Sequence, residues 1–189
     1  MIESTVTRKT KETDITVTVR PGPAESDIQT GIGFFDHMLT TLAFHGGFTL
    51  TARARGDLHV DAHHTVEDMG LTLGQALREA LGDTKGIERF GESHVPMDEA
   101  LGFAALDISS RPFLTFDAEL TGSIGTFDAA LTREFFRALA VSAGFTLHLK
   151  ASGDNAHHMA EALFKAAGRA FRMASRVTGE GVPSTKGAL

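Results

Sequence analysis

Two stretches of this sequence concentrate groups that can do chemistry: His63-His64-Thr65-Val66-Glu67 and His157-His158-Met159-Ala160-Glu161. Imidazole with carboxylate and no thiolate is a donor set for manganese, iron, zinc or nickel, with coordination positions left open for a substrate. On a helix, residues four apart share a face, so His63 can close with Glu67 on one ion and His157 with Glu161 on another. The adjacent histidine is turned by about 100°, which suits His64 and His158 to a different ion from their neighbours. One such motif alone also reads as an ordinary helix start with an acid near the positive end of the helix dipole. Two copies in one chain require a common reason.

That reason is an internal repeat. Residues 38–50 match residues 135–147, coinciding at Leu42 and Leu139, at Ala43 and Ala140, and through the Gly-Phe-Thr-Leu runs that begin at Gly47 and Gly144. Each copy reads as a helix, a glycine stop and a strand, then a polar turn and a second helix carrying the motif, with Gly74 and Gly168 in register. Glu12 precedes the strand-like Thr13–Val19 as Glu99 precedes Ala100–Ile108. The repeat also supplies a further ligand, because His37 stands as far before Phe48 as Glu134 does before Phe145. An approximate twofold between the halves then gives one ion His37, His64, His157 and Glu161, and the other Glu134, His63, Glu67 and His158. His59, His94 and His148 have no partner of the same type in the repeat and read as structural.

The elements that must position these groups follow from apolar periodicity and turn residues. They are an N-terminal strand pair, helix 32–45, strand 47–55 and helix 63–82, then strands near 99–108 and 111–118, helix 129–143, strand 144–151 and helix 157–175. The fold class is α+β and internally duplicated. Residues 1–92 and 93–189 form two similar halves, each a small, mostly antiparallel sheet backed by two helices, joined as a single compact unit. The tail 176–189, rich in Gly, Ser and Pro, would ordinarily fray, but its Pro183-Ser184-Thr185-Lys186-Gly187 segment has the makings of a binding loop.

Composition narrows the function classes. A chain of 189 residues, 42% hydrophobic, is long enough to bury a sizeable core. It has no cysteine, which excludes disulfides and thiolate-bound metal and suits a reducing cytosol. The first residues lack the apolar run of a signal peptide, and no stretch approaches the roughly 18 apolar residues a membrane helix needs; a soluble, cytoplasmic protein is expected. A net charge of -6 gives no general attraction to nucleic acid. An anionic small molecule needs only a few local cations, and Arg89, Arg111 and Lys186 lie in turn-rich segments able to aim them inward. For any one of them alone, a solvated surface cation is the commoner outcome.

The runs Thr30-Gly31-Ile32-Gly33-Phe34-Phe35-Asp36-His37-Met38-Leu39, Asp61-Ala62-His63-His64-Thr65-Val66-Glu67-Asp68, Asp107-Ile108-Ser109-Ser110-Arg111-Pro112 and Asn155-Ala156-His157-His158-Met159-Ala160-Glu161-Ala162 resemble the imidazoleglycerol-phosphate dehydratase family. The resemblance covers nearly the whole chain. It implies loss of water from imidazoleglycerol phosphate to give imidazoleacetol phosphate in histidine biosynthesis, with two Mn2+ per active site. It also implies a cage of 24 subunits with the metals at subunit contacts. His37, His63, His64, Glu67, His157, His158 and Glu161 match the family's metal ligands. Glu12, His45, Arg89, Arg111, Lys165, Ser184 and Lys186 match its substrate contacts, with the arginines, serine and lysine on the phosphate. The chain departs from the family pattern at Glu134, where the resemblance leads one to expect histidine, and at Thr40-Thr41 in place of Asp-Gln. A carboxylate still binds a hard divalent ion but adds negative charge.

The implied chemistry is demanding, because the hydrogen to be removed lies beside an imidazole ring and not a carbonyl. Ligation of both ring nitrogens would turn the substrate into an imidazolate able to expel hydroxide before the proton is lost. Glu12, His45, Glu67, Glu99 and Glu161 are the candidate acids and bases, although Glu99 reads equally as a structural mirror of Glu12. Two other functions compete. One is a dinuclear metallohydrolase, and the other a non-catalytic metal-storage protein, which would need no phosphate-binding residues.

Overall fold

In the computed structural model, which describes residues 1–187, the repeat is realised element by element. The first half runs β1 (Ser4–Lys9), β2 (Thr13–Pro21), β3 (Asp27–Gln29), α1 (Gly33–Gly46), β4 (Phe48–Gly56) and α2 (His63–Leu81). The second runs β5 (Phe90–Met97), β6 (Ala100–Ile108), β7 (Phe113–Asp117), a small added hairpin of β8 (Ser123–Ile124) and β9 (Phe127–Asp128), α3 (Leu131–Ala143), β10 (Phe145–Ser152) and α4 (Ala156–Ala174). The sheet orders β1-β2-β4-β3 and β5-β6-β10-β7 are the same order written twice, with only the β3–β4 and β7–β10 pairs parallel. The fold is therefore α+β, with two four-stranded sheets and four helices.

The same local devices set the element ends in both halves. Gly47 (φ 70°) and Gly144 (φ 75°) stop α1 and α3 in the left-handed conformation that glycine adopts without cost, and the Phe-Thr-Leu strand follows each. The start of α4 is capped by the Asn155 side chain, which accepts from the backbone N–H groups of His157 and His158; at α2 the Asp61 carboxylate accepts from His63 N–H. Both motifs thus begin a helix whose first turn is held by a side chain two residues before the first histidine.

The helices pair across the halves. Gly168 lets α4 approach α1 so closely that a Cβ there would lie 2.6 Å from the Leu42 carbonyl oxygen, and Gly74 lets α2 approach α3 so that its Cβ would lie 2.6 Å from that of Leu139. Leu42 and Leu139 are themselves repeat equivalents, so this is one contact made twice. Around these crossings Phe35, Phe135, Phe136 and Phe164 stack into one hydrophobic core that runs through both halves.

The structure differs from the sequence reading at several points. β5 spans residues 92 and 93, so the division expected there falls inside a strand, and the second half begins in the connection before Phe90. β5 escaped detection because Gly91 and Pro96 interrupt its apolar alternation; Gly91 is needed where the Ala170 carbonyl of α4 rests against the strand. The short β3, β8 and β9 carry too few residues for a periodicity signal. Residues 177–181 of the tail are held in place after α4. Thr178 and Gly179 donate to the Gly86 carbonyl, Gly86 donates to Gly181, and Ile87 bridges Val177.

Candidate active site

The crossed helix pairing brings His37 of α1 to His157 and Glu161 of α4. One donor atom from each lies within 4.8 Å of the others, with Glu161 buried and His37 exposed. Glu161 divides its two oxygens. Oε2 faces His157 Nε2 at 3.1 Å and His37 Nε2 at 3.5 Å, and Oε1 accepts from Lys165 Nζ at 2.8 Å. Burial pushes this carboxyl up, but the Lys165 ammonium, aided by His157 and His37, outweighs it and holds the group ionised below its ordinary value. Two imidazoles and a charged carboxylate, open on the His37 side, make a donor set suited to a divalent ion.

The repeat-related corner is arranged differently. His63 Nε2 lies 3.8 Å from Glu67, but Glu67 is bound to Arg137 Nη2 at 2.5 Å, and the Nε of the same guanidinium donates to Glu134 at 2.8 Å. Arg137 therefore stands between the two acids expected to be ligands. Among the described residues, the expected set of His63, Glu67, Glu134 and His158 forms no second cluster like that of His37.

The offset histidines do not cross within the chain as anticipated. His64 Nδ1 donates to Asp57 at 3.0 Å, and His158 Nδ1 donates to Glu99 at 2.8 Å. Neither joins the cluster proposed for it, because a turn of about 100° on a rigid helix points the side chain toward a different neighbour. A carboxylate on Nδ1 fixes the tautomer and leaves Nε2 as the ligand atom, the usual outer support of a metal-binding imidazole. The Glu99 hydrogen bond raises the His158 pKa, and the same bond holds Glu99 down at about 2. His64 is likewise raised, chiefly by its bond to Asp57, with Glu12 adding a weaker pull from the β1–β2 turn. Sequence reading passed over Asp57, whose other oxygen is buried without a partner; the one available signal was an acid at the end of β4 just before the motif.

His45 sits half-buried at the end of α1. Burial lowers its pKa, and Lys165 and Arg169 lower it further, so the ring is neutral. Arg89 is placed elsewhere. Its guanidinium grips Asp107 through two bonds (2.8 and 3.3 Å) and donates to the Pro183 carbonyl at 2.8 Å, and Arg111 shares Asp107 at 3.3 Å. Ser184 and Lys186 follow directly in the anchored tail, where Ser184 Oγ accepts from Lys186 N–H. The structure thus sets Arg89, Arg111 and the tail at Pro183 around Asp107 as a second group. Arg89 N–H donates to the carbonyl of Ala174, the last residue of α4, whereas His157 opens that helix. At 1.5 Å per residue the helix rises about 20 Å from Glu161, and about 25 Å from His157, to the point where Arg89 is attached.

The sequence profile of imidazoleglycerol-phosphate dehydratase matches residues 30–171. The chain belongs to the imidazoleglycerol-phosphate dehydratase family. It is 57% identical to the enzyme of Acetivibrio thermocellus over 97% of each chain, and 59% identical to that of Symbiobacterium thermophilum over 97% of this chain and 91% of the relative. The crystal structure of the Staphylococcus aureus dehydratase superposes with a TM-score of 0.84 at 39% identity, covering 94% of this chain and 99% of that one. The Pyrococcus furiosus enzyme gives 0.86 at 42%, covering 97% and 99%. Membership makes this protein a hydro-lyase. No helix among the described residues is long and apolar enough to cross a membrane.

Proposed function

We propose that this chain removes water from imidazoleglycerol phosphate to give imidazoleacetol phosphate, a step of histidine biosynthesis in the cytoplasm, with two Mn2+ at each active site. The observation that carries the reading is the convergence of His37, His157 and Glu161 from opposite halves beside Lys165. Their nitrogen and oxygen donors fit a divalent ion. His64 and His158, each held at Nδ1 by a carboxylate, and His63 with Glu67 are the remaining ligands. Bound ions would favour the deprotonated form of the substrate's imidazole ring and so ease departure of the hydroxyl group before the neighbouring proton is lost.

The chain's own residues divide the remaining work. Lys165 keeps Glu161 ionised and turned into the cluster. Neutral His45 is able to take up a proton at neutral pH. Glu99, ionised well below neutrality, serves as an acceptor and orients His158. Arg89, Arg111, Ser184 and Lys186 hold the phosphate. A substrate whose ring and phosphate are joined by three carbons and an ester oxygen spans less than roughly 10 Å. It cannot reach from the His37 cluster to the Arg89 group of the same chain. The site is therefore shared, with the metal end from one subunit and the phosphate end from another, which supports self-assembly; the count of 24 subunits rests on the resemblance alone.

The test is turnover of imidazoleglycerol phosphate by the Mn2+-loaded protein, read as substrate loss with stoichiometric ketone. Release of inorganic phosphate, or no turnover by fully loaded protein, would overturn the reading. Sharing is tested by co-assembling Glu161→Gln with Lys186→Ala, each inactive alone. Mixed assemblies regain activity if one copy supplies each end, and stay inactive if both ends come from one chain.

A further inference from the structure

Beyond the end of α1 a cleft of about 740 Å3 opens alongside the last turns of α4. Arg169, Arg172 and Arg176 line it with His45, Phe44 and Glu92. At spacings of three and four residues the arginines fall along one stripe of α4 and its exit. Of the nine other arginines, Arg8, Arg20, Arg53, Arg89, Arg111 and Arg137 are each paired with a carboxylate; among the described residues Arg55, Arg78 and Arg133 are not, nor are these three, which lie together in one cleft. In a protein of net charge -6, three guanidinium groups left unpaired in one cleft are an uncompensated cost of like charge.

They are also braced. Arg169 Nε donates to Ser93 Oγ at 3.0 Å, and the stem of Arg172 packs over the Gly47 turn, its Cδ 3.2 Å from where a Cβ would stand. Phe44 is 70% exposed at the rim, its ring edge-on to His45 at 5.2 Å. A large aromatic face beside unpaired guanidinium groups combines a stacking surface with fixed oxyanion donors. His45, kept neutral there, offers a hydrogen bond without adding charge, and Glu92 is the one acid in the lining. The volume lies within the range of small-molecule sites.

We infer that this cleft is a binding site for a nucleoside phosphate, with the phosphate on Arg172 and Arg176, the base against Phe44, and a sugar hydroxyl donating to Glu92. It is separate from the Arg89–Asp107 group and borders the proposed active site through His45, but Phe44, Arg172 and Arg176, which carry the inference, have no part in the proposed reaction. The probe is adenosine monophosphate, titrated calorimetrically into the full assembled protein, with ribose 5-phosphate and pyrophosphate as comparisons. Saturable binding of the nucleotide is expected. Arg172→Gln, which keeps the packing stem, and Arg176→Ala should each weaken it at least about tenfold, the worth of a charge-assisted hydrogen bond. Phe44→Ala should weaken the nucleotide several-fold and leave ribose 5-phosphate unchanged. Thermal melts confirm that each variant is folded. No saturation, variants that bind as tightly as wild type, or equal binding of nucleotide and pyrophosphate would each overturn the inference.

Discussion

Replacing Gly168 with alanine should damage the metal cluster without touching a ligand. The new Cβ would stand 2.6 Å from the Leu42 carbonyl oxygen, 3.0 Å from Gly46 N and 3.1 Å from His45 Cβ. A close carbon–oxygen contact needs about 3.3 Å, so α1 has to recede from α4 by roughly 0.7 Å at that point. Overpacking of this kind costs about 1–3 kcal/mol, and the better helix propensity of alanine returns up to about 1 kcal/mol. A net loss of about 1–2 kcal/mol corresponds to a melting point lower by roughly 2–8 °C in a chain of this size. His37 rides on α1 and Glu161 on α4, 3.5 Å apart, and metal–ligand distances tolerate only about 0.2 Å. Manganese should therefore bind more weakly and raise the melting point of the variant less than that of wild type. Calorimetry with and without Mn2+ measures both effects. Gly33→Ala, where nothing lies within 4 Å of the added Cβ, is the control. The packing argument fails if Gly168→Ala melts at or above wild type and gains as much from Mn2+.

The Glu99–His158 pair predicts a pH window for the metal-free protein. Glu99 falls from 4.5 to about 2 and His158 rises above 6.5, mainly through their shared hydrogen bond. The stabilisation is full between the two ordinary values, fades as Glu99 protonates below 4.5, and fades again as pH rises through the raised value of His158. Glu99→Gln should flatten that profile and shift the NMR titration of His158 to lower pH; an unmoved midpoint would exclude the bond as the cause. Arg137→Ala frees Glu67 from a charge-assisted hydrogen bond and should tighten divalent-ion binding about tenfold by calorimetry. Weaker binding would mean that Arg137 positions the acid and does not compete with the ion. Asp57→Asn removes the charged acceptor on His64 and should cost about 10–100-fold in metal affinity; unchanged affinity would show that the buried carboxylate has only a structural role.

How much of this was legible in the sequence depends on whether the cause is local. The repeated Gly-Phe-Thr-Leu stop and the paired His-His-x-x-Glu motifs fix helix starts, glycine ends and the duplicated α+β frame, because capping and periodicity act within a few residues. The same repeat led to His37, His157 and Glu161 as one set, since equivalent positions in two halves must meet about a common axis. Other features depend on packing partners far apart in the chain. Tertiary structure alone decided that Arg137 lies between Glu67 and Glu134, that Asp57 and Glu99 take up the offset histidines, and that β5 runs through the expected division of the halves. Only the length of α4, laid out in space, separates the Arg89 group from the His37 cluster. Sequence spacing names the groups able to bind metal and phosphate. The distance along a rigid helix determines whether one chain can bring them to the same substrate.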